Sequence, residues 1–392
     1  MSDQTDRRAF LKTAGVSVLA AGASALEAQT QKPIRLAIVG TGARALAHLA
    51  ILKLLPERFQ VVALADPTPP NLARAAGMAP GAATYSDYRK MLSERKDIDA
   101  VVVITPSFLH AEVTVAVFGQ GLPVLCEKPM ATRVEDANRM IEASHAAGKP
   151  LYIGFQKRFQ PAAMKMHELA AKGEIGAIQF VSANLFRGDW NPLGWKYTDP
   201  KTGVATNWRY LTFTEGSALL EDGIHELDTL NWILNAPVAR VMASGGNNVF
   251  KQRETVDNAA VIVDYENGAR LSFDFSLFAP NAGPGSRRMV LIGSDGVMQP
   301  ENGKISIRSR ASQAVRYVDL VDDAPAAARE GNVGSAMDGE TYKQYLAFAE
   351  TVRAGLPPVV AAEEGKNVIK LVLLAEKSLR TRRILTWHDL PA

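Results

Sequence analysis

Lys128 and His225 stand in the segments best suited to proton and charge chemistry. Lys128 lies in Cys126-Glu127-Lys128-Pro129, and His225 in Glu221-Asp222-Gly223-Ile224-His225-Glu226-Leu227-Asp228. Histidine titrates near operating pH and can take a proton without heavy tuning. A lysine cation beside an oxygen stabilises negative charge developing on it, most strongly where water is scarce. Such groups suit a secondary alcohol that loses a proton from oxygen and a hydride from carbon, each worth roughly 10²–10⁴-fold in rate. On a helix, positions 221, 225 and 228 share one face. Asp222 lies within about 60° of His225. Either Glu221 or Asp222 could therefore orient the imidazole. The competing readings are a surface lysine in a turn and a satisfied histidine on a buried helix.

A departing hydride needs an acceptor, and the N-terminal part of the chain supplies a place for one. Gly40-Thr41-Gly42-Ala43-Arg44-Ala45 reads G-x-G-x-x-A after an apolar run, Ile34–Val39, and before a helical pattern from Arg44 to Leu55. In that context Gly40 permits a tight turn and Gly42 lets a pyrophosphate approach the backbone. Ala45 allows close packing of helix on strand. Asp66 follows 24 residues beyond Gly42, at the end of the next run, Val61–Ala65. A carboxylate there binds ribose hydroxyls and repels a 2′-phosphate, which favours NAD over NADP.

The elements that must hold these residues alternate strand and helix. Val101–Ile104, Val124–Cys126 and Leu151–Ile153 are apolar throughout, the mark of parallel strands buried on both faces. Helical patterns run over Asp87–Arg95, Leu109–Gln120 and Val134–Ala147, the last with a capping box at Thr132 and Glu135. Three loops should crowd the carboxyl edge of this sheet: Thr105–His110, Cys126–Pro129 and Gly154–Phe159. After Gly154 the texture changes. Helices are expected over Pro161–Ala171, Leu219–Leu234, Thr341–Ala354 and Glu363–Leu379. Strands are expected at Ile178–Asn184, Arg240–Ser244, Ala259–Tyr265, Ala269–Leu277, Met289–Ile292, Ile305–Arg308 and Val315–Leu320. Asn267-Gly268 is the clearest hairpin turn. The fold class is α/β: a doubly wound Rossmann domain over 33–154, then an α+β domain over 155–380 with an open, largely antiparallel sheet.

These features together resemble the Gfo/Idh/MocA family, the relatives of glucose–fructose oxidoreductase and inositol dehydrogenase. The most specific element is Glu127-Lys128-Pro129, 85 residues after Gly42. Thr105-Pro106 with His110 and the Gly154–Phe159 run agree with it. The resemblance implies that Lys128 is the catalytic lysine, that Glu127 helps frame the nicotinamide, and that the Lys128–Pro129 bond is cis. It places Gly40, Thr41, Gly42, Ala43, Arg44, Asp66, Thr105, Pro106, His110, Glu127, Lys128 and Gln156 at the cofactor. Lys128, His225 and Glu221 are the expected catalytic groups. Many members carry Asp four residues before the histidine; Glu221 stands there here, with Asp222 beside it. Arg158, Asp222, Trp208 and Arg209 are expected to meet substrate. The last two belong to an irregular, aromatic-rich stretch, Phe186–Thr214, which suits a sugar-binding cover or a subunit interface. His48, His145, His167 and His388 have no supporting pattern.

The remaining composition narrows the partners. The 392 residues are 47% hydrophobic and 22% charged, with a formal net charge of +3. No basic block is long enough to bind nucleic acid. Cys126 is the lone cysteine, which excludes an internal disulfide or a cysteine-based zinc site; no metal is expected. Residues 1–30 read as a leader. Arg7-Arg8-Ala9-Phe10-Leu11-Lys12 resembles a twin-arginine signal, although Asp6 stands where Ser is usual, and the 14 uncharged residues Thr13–Leu26 are too short for a stable membrane anchor. Export to the periplasm by the twin-arginine machinery would then require a retained cofactor; without a working signal the protein would be cytoplasmic. The expectation is an NAD-dependent oxidoreductase acting on a hydroxyl of a sugar or polyol, as a homodimer or homotetramer. A redox-neutral glycosidase or lyase is the alternative, and a non-catalytic sensor a third.

Overall fold

A computed structural model describes residues 32–188, 217–251, 253–279, 286–329 and 338–391, and the two short strands at 196–198 and 205–207. The leader, Trp208 and Arg209 lie outside the described residues.

The apolar runs of the first half become six parallel strands: β1 (Ile34–Val39), β2 (Phe59–Ala65), β3 (Ala83–Tyr85), β4 (Ala100–Val103), β5 (Val124–Glu127) and β6 (Leu151–Gly154). Their order is β3-β2-β1-β4-β5-β6. Helices α1 (Ala43–Leu52), α2 (Pro69–Met78), α3 (Tyr88–Glu94), α4 (His110–Phe118) and α5 (Val134–Ala147) connect them. β4, β5 and β6 are buried along their whole length, as unalternating sequences require. The order reverses between β1 and β4, and that switch point is where such sheets bind ligands. One start signal differs from expectation. The cap of α5 is Arg133, with no side-chain cap bond, so the Thr132–Glu135 capping box does not form.

The second half builds a nine-stranded sheet after α6 (Pro161–Ala171). Its strands are β7 (Ile178–Phe186), β10 (Val238–Gly246), β11 (Asn258–Tyr265), β12 (Arg270–Ser276), β13 (Arg287–Gly293), β14 (Gly296–Glu301), β15 (Lys304–Ser309), β16 (Val315–Asp319) and β17 (Leu385–Thr386). A separate hairpin pairs β8 (Lys196–Thr198) with β9 (Ala205–Asn207). The large sheet runs β16-β15-β14-β13-β7-β12-β11-β10-β17. It is antiparallel except where β7 lies parallel to β12. Strict alternation along β11 and β12 buries one face; of the helices, α7 (Ile224–Leu234) packs at β7 and α10 (Ala362–Thr381) at β10. The short α8 (Ala326–Arg329) precedes α9 (Asp338–Ala354), which packs back across α1 of the first sheet. Arg58 pairs with Glu350 of α9 at 3.1 Å and helps fix that contact.

The largest local departure from expectation precedes α7. Leu219–Gly223 is a π-helical turn, not the first turn of a continuous α-helix. Its i→i+5 bonding holds more residues per turn than an α-helix does. The α-helical spacing assumed for positions 221 and 225 is therefore not kept through this turn.

Candidate active site

The glycine loop joins β1 to α1 at the switch point. Gly40 has φ +89°, and a Cβ there would lie 2.5 Å from the Ile104 backbone, so both conformation and space demand glycine. Gly42 is different: a Cβ there would meet nothing within 4 Å. No neighbour among the described residues requires that glycine. The open space suits the close approach of a pyrophosphate from outside. No side chain caps α1, so the loop offers its N–H groups to an outside anion. The buried Thr41 and Thr105 hydroxyls have no hydrogen-bond partner among the described residues either. These features fit a dinucleotide.

Asp66 sits where β2 ends. Its Oδ2 accepts from Thr41 N at 2.7 Å and its Oδ1 from Thr68 N at 2.8 Å. The carboxylate thus shapes the loop that holds it, and each oxygen keeps a lone pair for a ribose hydroxyl.

Lys128 follows β5 through a cis Lys128–Pro129 bond. Its Nζ donates to the Glu221 carbonyl at 2.6 Å and lies 3.5 Å from Glu221 Oε2. Ser107 Oγ donates to Glu221 Oε1. Glu127, directly before the lysine, is buried. Its Oε1 accepts from Arg44 Nε and His48 Nε2, both at 2.8 Å, and its Oε2 from the Lys128 N–H at 2.9 Å. Burial opposes its charge, but Arg44 and His48 outweigh it and hold the carboxyl well below the usual carboxylate range.

His225 is buried on the first turn of α7, edge-on to Phe155 with ring centroids 6.2 Å apart. Its Nδ1 has no hydrogen-bond partner among the described residues. Burial, then the nearby cations Lys128 and Lys157, push its pKa well below 6.5. The ring is therefore neutral and able to accept a proton.

Several expected placements change. Glu221 meets Lys128 and Ser107, and no hydrogen bond joins it to His225 among the described residues. Asp222 does not orient His225 either; its Oδ1 accepts from Arg187 at 2.8 Å. Arg158 is buried and bound to Asp228 at 2.6 Å and Glu364 at 2.9 Å. It ties the Gly154 loop to α7 and α10, so it is a brace and not a substrate contact. His110 is enclosed, with its ring nitrogens 2.8 Å from the Pro129 carbonyl and 2.9 Å from that of Thr105. Its ring lies between the two loops, with both nitrogens facing carbonyls of the chain itself. Gln156 is buried in the short helical turn Gln156–Phe159.

Sequence reasoning missed Ser107, His48, Tyr345 and the buried Lys157–Glu226 pair. His48 had a usable signal. It lies four residues after Arg44 on one helix, which puts the two side chains on one face. Ser107 lay inside a loop already singled out. Tyr345 had no local signal.

A doubly wound sheet with a dinucleotide cradle, a lysine and a neutral histidine defines a nicotinamide-dependent oxidoreductase. Residues 34–155 match the Gfo/Idh/MocA "Oxidoreductase family, NAD-binding Rossmann fold", and residues 163–299 match the "GFO/IDH/MocA C-terminal domain". The chain belongs to this family, and its cofactor is NAD. It is 28% identical over 291 residues to inositol 2-dehydrogenase 2 of Saccharopolyspora erythraea, covering 73% of this chain and 77% of the relative. It is 26% identical over 367 residues to myo-inositol 2-dehydrogenase of Thermotoga maritima, covering 91% and 99%. Its fold is similar, at TM-score 0.77 and 18% identity, to an oxidoreductase from Agrobacterium radiobacter solved with NAD+, L-tartaric acid and magnesium. That match covers 91% of this chain and 99% of the other.

Proposed function

We propose that this protein is an NAD-dependent sugar or polyol dehydrogenase acting on a secondary hydroxyl. The observation that carries this reading is one arrangement at the sheet edge. Lys128 Nζ is held at Glu221, a turn before His225, whose neutral ring sits within reach of the lysine's charge. The inositol dehydrogenases among the relatives support a polyol as substrate.

NAD, when bound, supplies the hydride acceptor; Gly40–Arg44, Asp66 and Thr105-Pro106 would hold it. The chain's own residues handle the oxygen. Lys128 stabilises negative charge on the substrate oxygen, and Glu221 and Ser107 fix the ammonium in place. His225 accepts the hydroxyl proton. Phe155 packs against the imidazole and helps exclude water. The Arg7-Arg8 leader supports export to the periplasm with the cofactor retained, since no free NAD pool exists there.

The test uses full-length protein purified from its export route. Washed protein is denatured in acid and in alkali, and the supernatants are assayed for NAD and NADP. The untreated protein is then offered myo-inositol, glucose and other polyols, with NADH formation followed by absorbance. Near-stoichiometric NAD and NADH formed from a polyol are expected. Protein without NAD that turns over only with added cofactor would end the retained-cofactor reading. Absence of net NADH from every polyol, alongside cleavage of a glycoside, would replace a dehydrogenase with a redox-neutral enzyme.

A further inference from the structure

The Glu127 carboxylate gathers a buried relay that extends away from the cleft. His48 Nε2 donates to Glu127 Oε1, and His48 Nδ1 lies 2.7 Å from the Tyr345 hydroxyl. Glu127 is ionised and can only accept, so Nε2 carries the imidazole proton. Nδ1 then accepts from Tyr345. Burial, helped by Arg44, lowers the His48 pKa and keeps this ring neutral. Tyr345 is itself seated edge-on against His48 and Phe59, with centroids 5.6 Å and 5.4 Å away.

Two helices are locked in register by these contacts. On α1, Arg44 and His48 are four residues apart; on α9, so are Thr341 and Tyr345. Arg44 Nη2 donates to Thr341 Oγ1 at 3.4 Å, while His48 meets Tyr345. Both α1 side chains converge on Glu127 Oε1, which leaves Oε2 for the Lys128 backbone N–H. A helix about 220 residues downstream in sequence thereby sets the carboxylate that fixes the lysine's main chain.

We propose that His48 and Tyr345 are positioning residues for Lys128, acting through Glu127. The catalytic part of this inference rests on the reading that Lys128 serves the reaction. A brace of this kind matters because displacing a reacting group by about 1 Å can cost about 100-fold in rate. A hydrogen-bonded relay holds its target more narrowly than apolar packing does.

The experiment compares His48→Leu, His48→Gln and Tyr345→Phe in the full chain, with Lys128→Ala as reference. Measurements are kcat and KM with NAD and the best polyol, NAD binding, and the thermal midpoint. The rate of Lys128 acetylation by acetic anhydride is read separately by peptide mass spectrometry. In His48→Leu, kcat should fall by about 10–100-fold while NAD affinity stays within about threefold. Lys128 acetylation should rise at least about threefold as the ammonium leaves Glu221. His48→Gln retains a donor for Glu127 and should recover most of the loss. Tyr345→Phe should show the same changes more weakly, and it decides the matter if His48→Leu does not fold.

Unchanged kcat and unchanged Lys128 acetylation in both variants, with only a lower thermal midpoint, would make the relay structural and overturn the proposal. If Lys128→Ala keeps full activity, the catalytic reading fails instead. The acetylation rates then still decide whether the relay positions the lysine.

Discussion

The two sides of the candidate site are built differently. On the Lys128 side, each carboxylate oxygen near the lysine has a protein partner: Glu127 is bound by Arg44, His48 and the Lys128 main chain, and Glu221 by Ser107 and Lys128 itself. On the His225 side, the ring has a neighbour in Phe155, but among the described residues Nδ1 has no partner. The lysine side is organised before any ligand arrives. The histidine keeps an unused polar atom at the price of desolvation, as a group that must exchange a proton does. The fixed group suits static charge stabilisation and the free one suits proton transfer.

The largest test of this contrast removes each group in turn. Lys128→Ala and His225→Asn should each lower kcat/KM by about 10²–10⁴-fold. They should differ in pH dependence. The acid limb of the parent profile should lie below pH 6.5, because the His225 pKa is lowered. Lys128→Ala should move that limb upward, since the lysine's charge helps depress the histidine, whereas His225→Asn should abolish it. An acid limb above 6.5 in the parent would break the assignment of His225.

The glycines offer a second contrast. Gly42→Val should leave the thermal midpoint nearly unchanged, because the protein leaves that space open, yet weaken NAD binding at least about tenfold by blocking the phosphate approach. Gly40→Val should destabilise the fold by at least about 2 kcal/mol in denaturant titrations, from strained φ and a backbone clash. Equal loss of stability in both would mean that Gly42 serves the fold.

Glu221→Gln should have an intermediate effect, lowering kcat about tenfold while sparing the His225-dependent acid limb. A shift of that limb would return Glu221 to the histidine.

The smallest effect is on stability. His48, His110 and His225 are all buried with pKa values below the ordinary 6.5. The unfolded chain therefore binds protons that the folded one refuses. Their contribution is intact above pH 6.5 and is lost as pH falls from there toward the folded values. The thermal midpoint should drop between pH 7 and pH 5.5, and in His48→Gln the drop should be shallower. A midpoint flat across that window would contradict the burial of these rings.

Much of the architecture can be read directly from the chain. Ile34–Val39, Val134–Ala147 and Pro161–Ala171 form their elements at the expected ends, because hydrophobic period and turn chemistry are local properties. The glycine loop from Gly40, Asp66 at a strand end and the Lys128–Pro129 dipeptide can likewise be located from residue types and their order along the chain. The tertiary structure alone decides which polar side chains meet. Glu221 meets Lys128 and Ser107, 93 and 114 residues away in sequence. Arg158 finds Asp228, 70 residues away, and His48 finds Tyr345, 297 residues away. Periodicity records which face of an element is buried. It carries no record of which distant carboxylate, ring or hydroxyl lies on the other side, because that depends on how whole helices and sheets pack.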